Sequence, residues 1–212
     1  MALEIEAKLA APHAAALAGL PEIARACGFL TGEIERSIMQ DHYLDTGDLH
    51  LYRAGWTLRL RDTGVRQRLT MKALTAPHRG VARREELEET IEWRAEDGWH
   101  LGAGALNGEA ARLADGQPFD RLFTIRQDRA EFPLAGEQQT EWEGFWCLAS
   151  MDSVRWSAAD GRPSEAYEAE FELKQGSEDQ LRSCVARIAQ AARWPVARSS
   201  KFQRGLEAAG LA

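Results

Sequence analysis

Carboxylates and cations recur in this chain at every second position of short segments, the spacing that gathers side chains on one face of a β-strand. Glu4, Glu6 and Lys8 alternate with Leu3, Ile5, Ala7 and Leu9. Arg59 and Arg61 alternate with Leu58 and Leu60, and Arg66, Arg68, Thr70 and Lys72 with Leu69 and Met71. Arg84, Glu86 and Glu88 share one parity against Leu87, Ile91 and Trp93. Glu168, Glu170, Glu172 and Lys174 alternate with Ala169, Phe171 and Leu173. Arginine forks hydrogen-bond phosphate oxygens in pairs. Glutamate pairs offer the hard oxygen ligands that Mg²⁺ or Mn²⁺ takes. Together they suit a polyanion held with a divalent cation. The same alternation also describes a sheet with its charged face in water, so pattern alone leaves both readings open.

The elements that must position these residues follow from punctuation and period. Strands are expected over Leu3–Leu9, Glu33–Leu44, Trp56–Asp62, Val65–Ala73, Arg83–Trp93, Leu122–Phe132, Trp142–Trp156 (a long, bent strand pair or a bulged strand ending near Asp152) and Ala166–Lys174. Thr63-Gly64 reads as a hairpin turn, and Thr31-Gly32, Gly47-Asp48, Ala54-Gly55 and Gly161-Arg162-Pro163 as further turns. Pro12 to Phe29 is Ala- and Leu-rich and is expected to form two short helices divided at Pro21. A helix is expected through Glu109–Leu113. Another starts at Ser177 with Gln180 as its capping-box partner. About eight strands joined by short links can close into a barrel without free edges, wide enough for one small ligand. The apolar parity would then face helices outside, and the charged parity would line the bore.

Composition bounds the function. The chain has 212 residues, 44% hydrophobic and 28% charged, with no linker or low-complexity tract, and reads as one domain over 1–212. A net charge of −7 argues against a general nucleic-acid coat but permits a local basic cavity. Cys27, Cys147 and Cys184 are widely spaced, which fits free thiols in a reducing compartment. No apolar run is long enough to span a bilayer, and Glu4 and Glu6 stand where a signal peptide carries positive charge. A cytoplasmic protein is expected, with no membrane or nucleic-acid partner and with a homodimer left open.

Read in order, the motifs resemble those of CYTH-domain proteins, the triphosphate tunnel metalloenzymes. Glu4-Ile5-Glu6-Ala7-Lys8 is similar to that family's Glu-x-Glu-x-Lys signature. Tyr43-Leu44-Asp45-Thr46, Leu58-Arg59-Leu60-Arg61, Thr70-Met71-Lys72, Arg84-Glu85-Glu86-Leu87-Glu88, Glu170-Phe171-Glu172-Leu173-Lys174 and Ser200-Lys201 match its later motifs in sequence. The resemblance implies a mainly β (α+β) fold, a closed eight-stranded antiparallel tunnel with a charged interior and helices outside. It also implies a metal-dependent triphosphatase. The run from Tyr43 to Arg61, with Arg53-Ala54-Gly55 between, looks most like the bacterial inorganic-triphosphatase branch, without an expectation of the C-terminal histidine-rich helical domain often attached to that branch.

On that resemblance, Lys8, Arg59, Arg61, Lys72, Arg84 and Lys201, with Arg126 or Arg129, are expected to hold the triphosphate. Glu4, Glu6, Glu170 and Glu172 are expected to bind Mg²⁺ or Mn²⁺. One of these, or Glu86 or Glu88, is expected to orient the attacking water, while Glu168 and Lys174 are expected at solvated tunnel mouths. The expected substrate is a triphosphate-bearing small molecule, inorganic triphosphate (tripolyphosphate) first. Thiamine or nucleoside triphosphatase and adenylyl cyclase are alternatives on the same fold; a non-catalytic polyphosphate sensor and a structural barrel are alternatives of other kinds. His13, His42, His50, His78 and His100 lack zinc-ligand spacing, and Gly102-Ala103-Gly104 lacks the context of a dinucleotide loop. Trp56 and Trp93 are expected to pack in the core rather than stack bases.

Overall fold

Every alternating segment contributes a strand, though Val65, Arg66 and Trp93 fall outside theirs and residues 142–145 of the expected Trp142–Trp156 strand precede it. The computed structural model describes residues 2–94, 96, 98–101, 104–157 and 163–211. Its strands are β1 (Ala2–Ala11), β2 (Leu30–Thr31), β3 (Glu35–Asp45), β4 (Trp56–Asp62), β5 (Gln67–Ala73), β6 (Val81–Ile91), β7 (Asp120–Ala135), β8 (Trp146–Ser157) and β9 (Pro163–Gln175). All pair antiparallel, in the ring β1-β6-β5-β4-β3-β7-β8-β9, and β9 pairs back onto β1. The result is a closed eight-stranded barrel. The two-residue β2 adds only to the end of β7, through Leu30 opposite Ala135 and Thr31 opposite Leu134. Thr31 is therefore in a strand, where a turn was expected.

The helices are α1 (Ala14–Ala18), α2 (Leu20–Ala26), α3 (His50–Arg53), α4 (Ala105–Leu113), α5 (Glu178–Ala192) and α6 (Lys201–Ala209). Gly19, not Pro21, divides α1 from α2, and Pro21 sits in the first turn of α2, where its missing N–H costs no hydrogen bond. The Ser177–Gln180 capping box at α5 forms as expected. Gly104 offers no side chain to cap α4, and Glu89 of β6 does so instead, its carboxylate accepting from the Leu106 N–H at 3.1 Å. Gly161 and Arg162 of the expected turn, and Gly102 and Ala103 of the rejected dinucleotide loop, lie outside the described residues.

Apolar side chains cover the outside of the barrel in two clusters. One packs Leu9, Phe132 and Phe171 against Leu181, Cys184 and Ile188 of α5. The other packs Leu58, Leu60, Leu69 and Met71 against Leu106 and Ala110 of α4, with Trp56 and Trp93 at its margin. Each such Leu or Phe buried contributes about 1.5–3 kcal/mol, so the stability of the barrel lies on its outer face. A third cluster lies inside. Tyr43, Phe123, Ile125 and Trp156 point inward from β3, β7 and β8 and receive Phe202 and Leu206 of α6, so α6 plugs one end of the bore. Its close approach needs Gly205, where a Cβ would intrude on the Phe123 ring. Among the described residues no helix is long and apolar enough to cross a membrane.

Candidate active site

Strand register builds the site. Lys8 lies opposite Glu170, Glu6 opposite Glu172, Glu4 opposite Arg84, Lys72 opposite Glu86, and Arg61 opposite both Asp41 and Arg68. Because the period is two, each of these sends its side chain to the same face, which closure turns inward. The resulting cavity, about 860 Å³, is lined by Glu4, Glu6, Lys8, Arg59, Arg61, Lys72, Arg84, Glu86, Glu88, Arg129, Glu170, Glu172 and Lys201. Its walls carry eleven Lys and Arg against seven Glu, whereas the whole chain carries 26 Lys and Arg against 33 Asp and Glu. An acidic protein thus encloses a basic bore, and the reading with charges on the outer face of the sheet is overturned.

Inside, the charges are paired. Lys72 Nζ donates to Glu4 Oε2 at 2.6 Å and stands 3.6 Å from Glu86. Arg84 Nη1 donates to Glu6 Oε1 at 2.7 Å. Lys8 Nζ lies 2.7 Å from Glu170 and 3.3 Å from Glu6. Burial opposes the charge on Lys8, but Glu170 and Glu6 outweigh it and raise its pKa. Glu6 and Glu170 are likewise pulled below the usual carboxylate range: burial raises each, Lys8 counteracts it at both, and Lys201 and Arg129 add to the pull on Glu170. Glu4 is the exception. Burial, then the neighbouring Glu6 and Glu86, raise its pKa despite Lys72.

Arg129 resolves the ambiguity in β7. It forms a bidentate pair with Asp152 at 2.7 Å per bond and donates to Glu170 at 2.6 Å. Arg126 has the opposite parity. It is exposed on the outer face, with Asp128 at 3.4 Å, and the structure does not bring it to the bore. Glu168 is not solvated at a mouth either. It is buried, ion-paired with Arg204 of α6, and 3.7 Å from Lys201. Lys174 does line the cavity, 2.5 Å from Glu172.

Lys201 is no surface lysine on a tail. It opens α6, whose Ser200–Gln203 capping box is complete, and its Nζ donates to Asp152 at 2.6 Å and Glu170 at 2.7 Å. Ser200-x-x-Gln203 was the available signal for this helix. Two buried aspartates escaped sequence reasoning because each stands alone among uncharged neighbours on its parity. They are Asp152, beside Lys201 and Arg129, and Asp41, which takes a bidentate pair from Arg61 at 2.6 Å per bond. Arg59 is the least committed cation at this level. It lies 3.6 Å from Asp41 and donates to Thr70 at 3.3 Å, while its buried Nε has no protein partner among the described residues.

Asp41 is fully buried, and although burial raises its pKa, Arg61 and Arg59 push it down to about 2 from an ordinary 3.8. A carboxylate depressed on folding stabilises the fold above its unfolded value and loses that contribution as pH falls through its folded value. Asp41 is therefore expected to contribute about 2 kcal/mol above about pH 4 and to lose it towards pH 2. Urea unfolding of the parent and of Asp41→Asn checks this: the gap between the two should narrow as pH falls from 5 to 2. A gap independent of pH would show that Asp41 does not titrate as an ion-paired carboxylate.

Oxygen chemistry at the bore fits a hard divalent cation, and the pKa of Glu4, raised first by burial and then by the neighbouring Glu6 and Glu86, shows a carboxylate that Lys72 does not fully compensate. No group of three or more ligating side chains is gathered as a cage among the described residues.

The CYTH domain model matches residues 2–206. A search of curated proteins gives no match. Among solved structures, HpAC1 from Hippeastrum, described as an adenylyl cyclase candidate with a dominant triphosphatase activity, superposes with a TM-score of 0.70 at 20% identity, covering 95% of this chain and 94% of that one. An adenylate cyclase candidate from Bacillus halodurans gives 0.65 at 19% identity, covering 96% and 98%. The PH1012 protein of Pyrococcus horikoshii gives 0.55 at 13% identity, covering 94% and 98%. At these identities the likeness is one of fold.

Proposed function

This chain belongs to the CYTH domain family, and from that premise we propose that it is a divalent-metal-dependent hydrolase of triphosphate compounds, splitting inorganic triphosphate to diphosphate and phosphate. Residues 1–212 act as one tunnel domain. The observation that carries the reading is the bore itself, a cavity with a cationic excess enclosed by an acidic chain. A focused positive potential of this kind draws in a polyanion. The triphosphatase activity in the description of HpAC1 points the same way, while the adenylate cyclase description of the Bacillus halodurans protein belongs to the alternative.

Arg59, Arg61, Arg129 and Lys201 hold one stretch of the triphosphate, and Lys8, Lys72 and Arg84 the other. The last three exchange their glutamate partners for phosphate oxygens as substrate enters. The glutamates they release, Glu4, Glu6 and Glu170, with Glu172 beside Lys174, would hold the metal, which when bound supplies charge neutralisation at the phosphate oxygens. Among the bore's proposed acidic residues, Glu86 has a loose partner, Lys72 at 3.6 Å, and is assigned to orient the attacking water. Hydrolysis of this kind needs positioning and charge stabilisation more than covalent chemistry.

A phosphate-release screen over tripolyphosphate, ATP and thiamine triphosphate, with Mg²⁺ and with Mn²⁺, tests the proposal. Release of phosphate from tripolyphosphate is the expected result. Cyclic AMP from ATP would assign the same site to cyclase chemistry, and binding without any turnover would make the protein a sensor.

A further inference from the structure

Gln127 of β7 is fully buried, and neither the oxygen nor the nitrogen of its amide has a hydrogen-bond partner. It is the one uncharged side chain left in that state among the described residues. Buried amides are nearly always hydrogen-bonded, because losing water without a replacement is unfavourable, so this one needs a reason. Its parity is that of Ile125 and Arg129, which point inward. Directly across from it stand Met39 on β3 and Val154 on β8, two apolar side chains. Met39 and Arg129 both line the cavity, so the amide lies beside the charged bore.

Arg129 is two positions along β7 on the same face, and opposite Arg129 on β8 is Asp152. Asp152 is thus a diagonal neighbour of Gln127. Such neighbours stand about 7–8 Å apart, within reach of a long side chain. Asp152 is itself fully buried. It is held by Arg129, at 2.7 Å to each oxygen, and by Lys201 Nζ at 2.6 Å. Both cations are assigned above to the triphosphate. An arginine fork that closes on phosphate cannot keep the same edge on a carboxylate. As Arg129 and Lys201 turn to substrate they leave Asp152 behind, and a buried charge without a partner is strongly unfavourable. The spare N–H donors of Gln127 stand next to it.

We propose that Gln127 is a positioning residue for triphosphate binding: without a partner in the free protein, its amide nitrogen donates to Asp152 once Arg129 and Lys201 turn to phosphate. The inference rests on the triphosphatase reading and adds to it a residue that never touches the substrate. An amide suits this role because its nitrogen carries two donors and no charge. It can take over Asp152 without competing for phosphate, and it leaves the Arg129–Asp152 pair undisturbed in the free protein. A lysine at this position would be a rival phosphate ligand, and a glutamate would repel Asp152. The free protein bears the cost, as an amide with no partner. What relieves the free protein should therefore weaken the complex.

The test measures two quantities on the parent protein, Gln127→Met and Gln127→Leu: the urea midpoint of the free protein, and the calorimetric dissociation constant for tripolyphosphate in chelator. Methionine keeps the length and unbranched shape of the side chain, and leucine is the control for crowding. At least one variant should unfold at an unchanged or higher urea concentration, because an amide without a partner has been removed. Both should bind tripolyphosphate about tenfold more weakly, the scale of one hydrogen bond to a charged group. In an Asp152→Asn background the Gln127→Met step should leave the dissociation constant unchanged, since no buried carboxylate is then released. An unchanged constant in the two single variants would overturn the inference. So would lowered urea midpoints in both, which would make the amide a structural group of the free protein, or a tenfold loss that persists beside Asp152→Asn. A parent that binds tripolyphosphate without hydrolysing it would end the triphosphatase reading alone, and the dissociation constants would still decide the role of Gln127. A parent that does not bind it would end both.

Discussion

The Glu4→Gln/Glu6→Gln double variant is expected to lose tripolyphosphate turnover by about 10²–10³-fold or more, the scale on which single preorganised charge-stabilising groups act. Excess chelator should abolish turnover in the parent protein. The physical reason is the crowding of negative charge on β1 and β6. Two carboxylates about 4 Å apart repel by roughly 4 kcal/mol at an effective dielectric of 20. Burial, Glu6 and Glu86 raise the pKa of Glu4 even with Lys72 hydrogen-bonded to it. A glutamine pair removes the repulsion and with it the reason to bind a divalent ion. The variant should fold, because Lys72 and Arg84 line an open cavity and water can solvate them when their partners become neutral. Binding should separate from turnover. Calorimetry in chelator should still register tripolyphosphate, since Arg59 is free to contact it without displacing a glutamate. Full activity of the double variant, or of the parent in excess chelator, would remove the metal from the mechanism and the acidic strands from the site.

Arg59→Ala is expected to raise the Michaelis constant for tripolyphosphate by about 10- to 100-fold with little loss of stability. A hydrogen bond to a charged group contributes about 1.5–3 kcal/mol, and a tenfold change corresponds to about 1.4 kcal/mol. Arg59 makes only long contacts to protein groups, so its removal breaks no short pair. Arg61→Ala should behave differently, although sequence spacing makes the two arginines look equivalent. Arg61 is the bidentate partner of the fully buried Asp41. Removing it strands a buried charge and should cost roughly 3 kcal/mol of stability, the low end for breaking such a pair, because Arg59 stands near enough to take over. Once drawn to Asp41, Arg59 is lost to substrate as well. Denaturant melts alongside kinetics would separate the two variants. Equal stability losses would contradict the division of roles, and unchanged Michaelis constants in both would contradict phosphate binding.

Strand period did most of what the sequence by itself determined. Alternation sorted Glu4, Glu6, Lys8, Arg59, Arg61, Lys72, Glu170 and Glu172 onto one parity and Leu58, Leu60, Met71 and Phe171 onto the other, because side chains of a strand can only point two ways. The apolar parity does meet helices, and the charged parity does meet itself across the bore. Local chemistry also sufficed for the α5 cap, and would have sufficed for α6, whose Ser200–Gln203 box has the same form.

Closure decided the rest, and closure is a property of pairs of strands far apart in sequence. Alternation is the same whether a charged face meets water or a cavity; only the pairing of β9 onto β1 and β7 onto β8 makes it an interior. Arg126 and Arg129 differ in parity, but β7 carries too few inward charges to show which parity faces the bore, and only its register against β3 and β8 selects Arg129. Asp41 and Asp152 have uncharged nearest neighbours on their own parity, and they gain meaning only when Arg61, Arg129 and Lys201 arrive from other elements. Local rules assign faces; long-range pairing decides what each face encloses.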